Sequence, residues 1–130
     1  MNKFQVFILV ASLFLVGCES EKKRIDILTD SKLSHGLTED YRSEKWNEFN
    51  GDGYKLVVYS SDKREKESKV VCDKVNLKYG YFHEASTTIG KIREVIDESK
   101  SLCYRVYLNE NKIEAVYIQG GHLYYYLGLN

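Results

Sequence analysis

The chain has 130 residues, with 19 basic and 19 acidic side chains, so it is close to electrically neutral. That balance does not favour nucleic-acid binding or electrostatic adhesion to an anionic membrane, both of which rest on a surplus of lysine and arginine. The length fits one domain with an appendage rather than two domains.

Met1, Asn2 and Lys3 make a short positive start, and Phe4 to Val16 form an uncharged, largely apolar run. Such a run matches the apolar core of an export signal. It is shorter than the roughly 20 apolar residues that a helix needs to cross a bilayer. The run closes on Leu15, Val16, Gly17 and Cys18, and this ending resembles the lipobox of bacterial lipoproteins. The resemblance covers the signal segment alone. It implies a diacylglyceryl group on the Cys18 thiol, removal of residues 1–17 as a signal peptide, and acylation of the new amino end by a palmitate-like chain. Acyl chains contribute about 0.8 kcal/mol per buried methylene, and two or three of them hold a protein to a membrane durably. Glu19 then stands second in the mature chain, where retention at the inner membrane of enteric bacteria typically uses an aspartate. By resemblance the protein is therefore placed on the outer membrane, facing the periplasm, with a Gram-positive outer surface as the other location.

Residues 18–36, including "ESEKKRIDILTDSKLSHG", carry many charges and little period, and read as an acylated tether to a single domain over 37–130. "LTEDYRSEKWNEF" reads as a helix, capped by Thr38 with Glu39 and Asp40 in its first turn. "NGDG" punctuates the chain before a strand from Tyr54 to Ser60, and "SDKREKES" follows as a charged loop. In "KVVCDKVNLKYGYF", Val75, Leu77, Tyr79 and Tyr81 alternate with polar residues, which predicts a strand with one wet face. Ile89, Ile92, Val95 and Ile96 recur at helical spacing and predict a covering helix over 86–100. Leu102 to Leu108, Ile113 to Ile118 and Leu123 to Leu127 read as three strands joined by short turns, an antiparallel meander. The expected fold is α+β: an antiparallel sheet of about five strands with one main covering helix.

With Cys18 assigned to lipid by the resemblance, Cys72 and Cys103 are the thiols left in an oxidising compartment, and a disulfide between them is expected. A redox pair or metal ligands is the alternative, and it lacks C-x-x-C spacing. The "NEFNGDG" segment offers Glu48, Asn50 and Asp52 as alternating oxygen ligands, yet Tyr59 holds the place of the closing bidentate glutamate, so a plain turn is the reading. His83 and Glu84 adjoin, but Thr87 stands where a zinc-protease helix needs its second histidine, and His35 and His122 are scattered. No nucleophile elbow, free catalytic thiol or phosphate-binding glycine loop is present in the sequence, so neither a catalytic residue, a metal nor a cofactor is expected.

"GGHLYYYLGLN" places Tyr124 and Tyr126 on one side of a strand and Leu123, Tyr125 and Leu127 on the other. If the leucine side packs inward, Tyr124 and Tyr126 face outward near Tyr107 or Tyr117, as a partner-binding patch or as a cross-strand ladder. The functional expectation is a non-enzymatic, lipid-anchored module that binds a protein. By plan alone it is comparable to immunity proteins against periplasmic toxins or to inhibitors of cell-wall hydrolases. An accessory lipoprotein of an envelope secretion or assembly complex, a phage exclusion factor, and a hydrolase built on distant residues are the competing readings.

Overall fold

All five of the expected strand regions contribute to one sheet, and a sixth region joins them against expectation. The computed structural model describes residues 21–61, 72, 75, 77–83 and 92–130. The signal segment, Cys18 and residues 86–91 of the expected covering helix lie outside the described residues. The described part of helix α1 is 21–29, and it is followed by a 3-10 turn, Leu33–Gly36. The strands are β1 (Leu37–Trp46), β2 (Gly53–Ser61), β3 (Lys78–Gly80), β4 (Leu102–Asn109), β5 (Lys112–Gln119) and β6 (His122–Leu129). They form a six-stranded sheet in the order β1-β2-β6-β5-β4-β3, with every neighbouring pair antiparallel. The architecture is α+β, with six strands where about five were expected.

The β4-β5-β6 meander follows its turn chemistry. Gly120 and Gly121 both adopt positive φ, 58° and 79°, as a two-residue hairpin with the twist of the flanking strands requires. The β1-β2 connection is also built from side chains of its own loop. The Asn47 side-chain oxygen accepts the Phe49 amide at 2.8 Å, and the Asn50 oxygen accepts the Asp52 amide at 3.0 Å. Those two carbonyls thus serve a turn.

Residues 37–46 are strand β1 and not the expected helix. The Thr38 cap and its acids satisfy helix rules locally, but the segment has no apolar helical face to bury. As a strand it gains a full ladder against β2, from Leu37 opposite Ser61 to Trp46 opposite Gly53. A register shift between Glu39 and Tyr41 bends this edge.

The sheet is covered on both faces, and each face has its own apolar cluster. On one, Ile25 and Leu28 of α1 pack with Val57, Tyr59, Val116, Ile118, Leu123 and Tyr125. On the other, Phe82, Ile92 and Ile96 pack with Leu56, Val58, Ala115, Tyr117 and Tyr124. Residues 21–29, expected in a charged tether, are therefore part of the folded body. Within the expected helix over 86–100, the described part is a 3-10 turn, Ile92–Glu94, followed by turns through Lys100. Ile92 and Ile96 still point inward, at 0% and 5% exposure, so the apolar spacing marked the burial while the backbone adopted tighter turns. The strand expected around Tyr79 is the three-residue β3, with Tyr79 and Tyr81 exposed.

The Cys72–Cys103 disulfide is present and joins residues 31 apart in sequence. Cys103 lies in β4, buried against the cluster on the α1 side. Cys72 sits in helical backbone rather than in the expected strand.

Candidate functional site

Helix α1 is fixed across the sheet by ions rather than by apolar contact alone. Glu21, 5% exposed, takes both guanidinium nitrogens of Arg42 on β1, at 2.7 and 2.6 Å. It also meets the Lys55 ammonium at 3.0 Å and accepts the Tyr59 hydroxyl at 3.2 Å. Burial pushes the Glu21 carboxyl up, but the bonds from Arg42 and Lys55 outweigh it and leave the group below its ordinary value. One turn on, Arg24 makes a paired contact with Glu114 of β5, at 3.0 and 2.6 Å, and Glu114 also accepts the Tyr125 hydroxyl at 2.6 Å. The Leu28 carbonyl accepts from Arg105 of β4 at 3.4 Å. The helix thus enters over the β1 edge and runs toward β4.

Two concave surfaces lie at opposite ends of the strands. The first is an open groove of about 610 Å³, walled by the turn at 95–101 and the β5-β6 turn, with Tyr79 at its rim. Gln119, 7% exposed, pins the two walls together. Its side-chain oxygen accepts the Asp97 amide at 2.9 Å, and its side-chain nitrogen donates to the carbonyls of Asp97 and Lys100 at 2.9 and 3.2 Å. The Asp97 carboxyl accepts the Ser99 hydroxyl at 2.6 Å and the Ser99 amide at 3.0 Å, which together lower its pKa and keep it charged at neutral pH. The Tyr79 and Ser101 hydroxyls share a hydrogen bond at 2.8 Å. His122 adds an imidazole 3.9 Å from the Asp40 carboxylate. The groove therefore offers an anion, the Lys100 ammonium, an imidazole and a phenol on a rigid frame. His83 instead stacks on Tyr81, with ring centroids 5.9 Å apart, so the groove lining does not gather both histidines.

The second surface is the β1-β2 hairpin tip. Phe49 is 99% exposed, Trp46 is 37% exposed, and with Lys45 and Tyr54 they line a shallow cleft of about 550 Å³. No periodicity marks this pair, because both aromatics sit in a charged stretch; the "NGDG" turn signal just after them was the available clue.

The four tyrosines singled out from the sequence do not form one exposed patch. Tyr117 is 0% exposed and Tyr124 6% exposed, beneath Phe82, Ile92 and Val95 on the face away from α1. Tyr126 is half-buried and stacks with Tyr54 at 6.2 Å. Tyr107 is exposed, but pairs with Glu114 and so faces the α1 side of the sheet. Strand alternation was read correctly; the covering of the second face moved Tyr117 and Tyr124 into the core. Their hydroxyl pKa values are raised, by burial first. The Tyr117 hydroxyl has no hydrogen-bond partner among the described residues.

Among the described residues no helix is long and apolar enough to cross a membrane. Comparison with protein-family models, curated proteins and solved structures gives no match to this chain.

Proposed function

We propose that the protein is a non-enzymatic, lipid-anchored module of a bacterial envelope that binds another protein, in the manner of an immunity protein or inhibitor directed at a periplasmic toxin or cell-wall hydrolase. The observation that carries this reading is the groove pinned by Gln119 and rimmed by Tyr79, which is 58% exposed, with Tyr81, 43% exposed, two residues further along the chain. Exposed tyrosines on a fixed backbone bury much area on binding while losing little side-chain freedom. Asp97, Lys100 and His122 beside them supply charged and polar groups for orientation. The hydroxyls of this groove are bonded to one another or to main-chain carbonyls, as Tyr79 is to Ser101 and Tyr124 to the Val95 carbonyl, and neither bond is to a base. The lipobox resemblance supports a membrane anchor for the module, and the disulfide suits an oxidising compartment.

The test is site-specific photo-crosslinking in intact cells exposed to the secreted toxins of their neighbours. A crosslinker at position 79 is expected to give one discrete protein adduct, and one at Glu110, exposed on the opposite turn, to give none. Equal labelling from both positions, together with unchanged survival of toxin-exposed cells lacking the gene, would overturn the reading.

A further inference from the structure

The acyl site and the folded body are separated by very little chain. Cys18 precedes Glu21 by three residues, so their Cα atoms lie at most about 11 Å apart. Glu21 is held by Arg42, Lys55 and Tyr59, and it lies in a helix that runs inward from the β1 edge. An acyl group on Cys18 is therefore attached within about 11 Å of a residue that Arg42 of β1 holds. The opposite edge, at β3, lies about 24 Å away across five strand spacings.

We infer that the β1 edge and the β1-β2 hairpin tip lie against the phospholipid bilayer, with Trp46 and Phe49 seated among the headgroups. The inference rests on the lipoprotein reading above and adds an orientation to it. Trp46 follows Arg42 by four residues on the same face of β1, about 13 Å further along the strand. A bilayer surface that reaches Cys18 and runs along the β1 edge passes close to Trp46, and Phe49 follows in the hairpin turn with 99% of its surface uncovered. Aromatic side chains with this placement favour the headgroup zone. Lys22 and Lys45 flank the edge and Glu39 and Glu44 are both engaged with Arg42, at 2.6 and 3.2 Å, while Asp40, Glu48 and Asp52 leave the edge and tip acidic, so the contact rests on the aromatic side chains and the acyl anchor rather than on charge. The bilayer would also cover the outer edge of the ten-residue β1, with which no strand pairs among the described residues. The groove with Tyr79 then faces away from the membrane, where a protein partner can reach it.

Trp46 is the single tryptophan, which makes its fluorescence a specific reporter. The acylated protein is reconstituted into vesicles of phosphatidylethanolamine and phosphatidylglycerol, with and without bromine on the acyl chains, and flotation is recorded on the same samples. The expected result is flotation, at least about a twofold loss of Trp46 emission with brominated lipid, and recovery of most of that emission in Phe49→Asp. Protein that floats while its Trp46 emission is indifferent to bromine overturns the orientation and leaves the anchor standing. Protein that is not acylated and stays in the aqueous fraction overturns both.

Discussion

Replacing Arg24 with methionine removes two charge-assisted bonds to Glu114, at 3.0 and 2.6 Å, and keeps most of the side-chain volume. Glu114 is 1% exposed, so its carboxylate would retain only the Tyr125 hydroxyl at 2.6 Å. Breaking one side of a buried ion pair costs about 3–5 kcal/mol, and because the Arg24 side chain is 37% exposed, water can partly replace it and the lower end applies. A loss of about 3 kcal/mol corresponds to a fall in Tm of about 10 °C for a domain of this size. Acidity gives the sharper test. In the native protein burial pushes Glu114 up, but the bonds from Arg24 and Tyr125 outweigh it and hold the group below its ordinary value. A depressed folded value gives stability that is complete above the unfolded carboxylate range and is lost as pH falls through the folded value. In Arg24→Met, burial is opposed by the Tyr125 hydroxyl and the Lys112 charge without the Arg24 bonds, the folded value rises, and protonation restores stability as pH falls through that raised value. Urea unfolding followed by circular dichroism and Trp46 fluorescence should show a gap between the two proteins that narrows on acidification. Arg24→Met combined with Glu114→Gln should close part of the gap at neutral pH, because the amide accepts from Tyr125 without a charge. A gap under about 1 kcal/mol at neutral pH, or one that widens on acidification, would refute the reasoning.

Three further outcomes are expected from the same unfolding assay. Reducing the Cys72–Cys103 bridge, which closes a loop of 31 residues, should cost about 3–4 kcal/mol, and the Cys72→Ser/Cys103→Ser variant should match the reduced protein. Gly53→Ala should cost about 2 kcal/mol or more, because φ is +149° and the new Cβ would lie 2.0 Å from the Lys45 carbonyl oxygen; a neutral result would contradict the described hairpin backbone. Tyr117→Phe removes a buried hydroxyl that lacks a partner among the described residues, so stability should stay level or rise by up to about 1 kcal/mol. A clear loss there would reveal a bond to that hydroxyl.

The strands β2, β4, β5 and β6 were legible because β-forming runs end at Gly and Asn turns whose chemistry is local. Helix α1 was not, although its inward positions 21, 24, 25 and 28 have helical spacing. Glu21 and Arg24 are charged, and only the tertiary structure supplies Arg42 and Glu114 to receive them. Strand β1 was hidden for the converse reason: its residues satisfy helix-start rules, while its stability comes from pairing with β2. The tyrosines Tyr117 and Tyr124 alternate as expected, but whether a face is wet depends on what covers it, and residues 92–96, expected to cover the leucine side, cover the tyrosine side instead. The groove was invisible because Tyr79, Asp97, Gln119 and His122 come from three separate segments. The disulfide was legible as a count of cysteines, once one of them had another use.

The proposed placement of the whole molecule rests on acylation at Cys18, and one measurement addresses it directly. Intact-mass and fragment analysis of the protein extracted from cell membranes reads the chemical state of its amino end. The prediction is a chain that begins at Cys18, with diacylglycerol on the thiol and a further acyl group on the amine, and whose Cys18→Ser variant is unprocessed and unacylated. A chain that begins elsewhere, or that carries a free Cys18 thiol, would contradict the account.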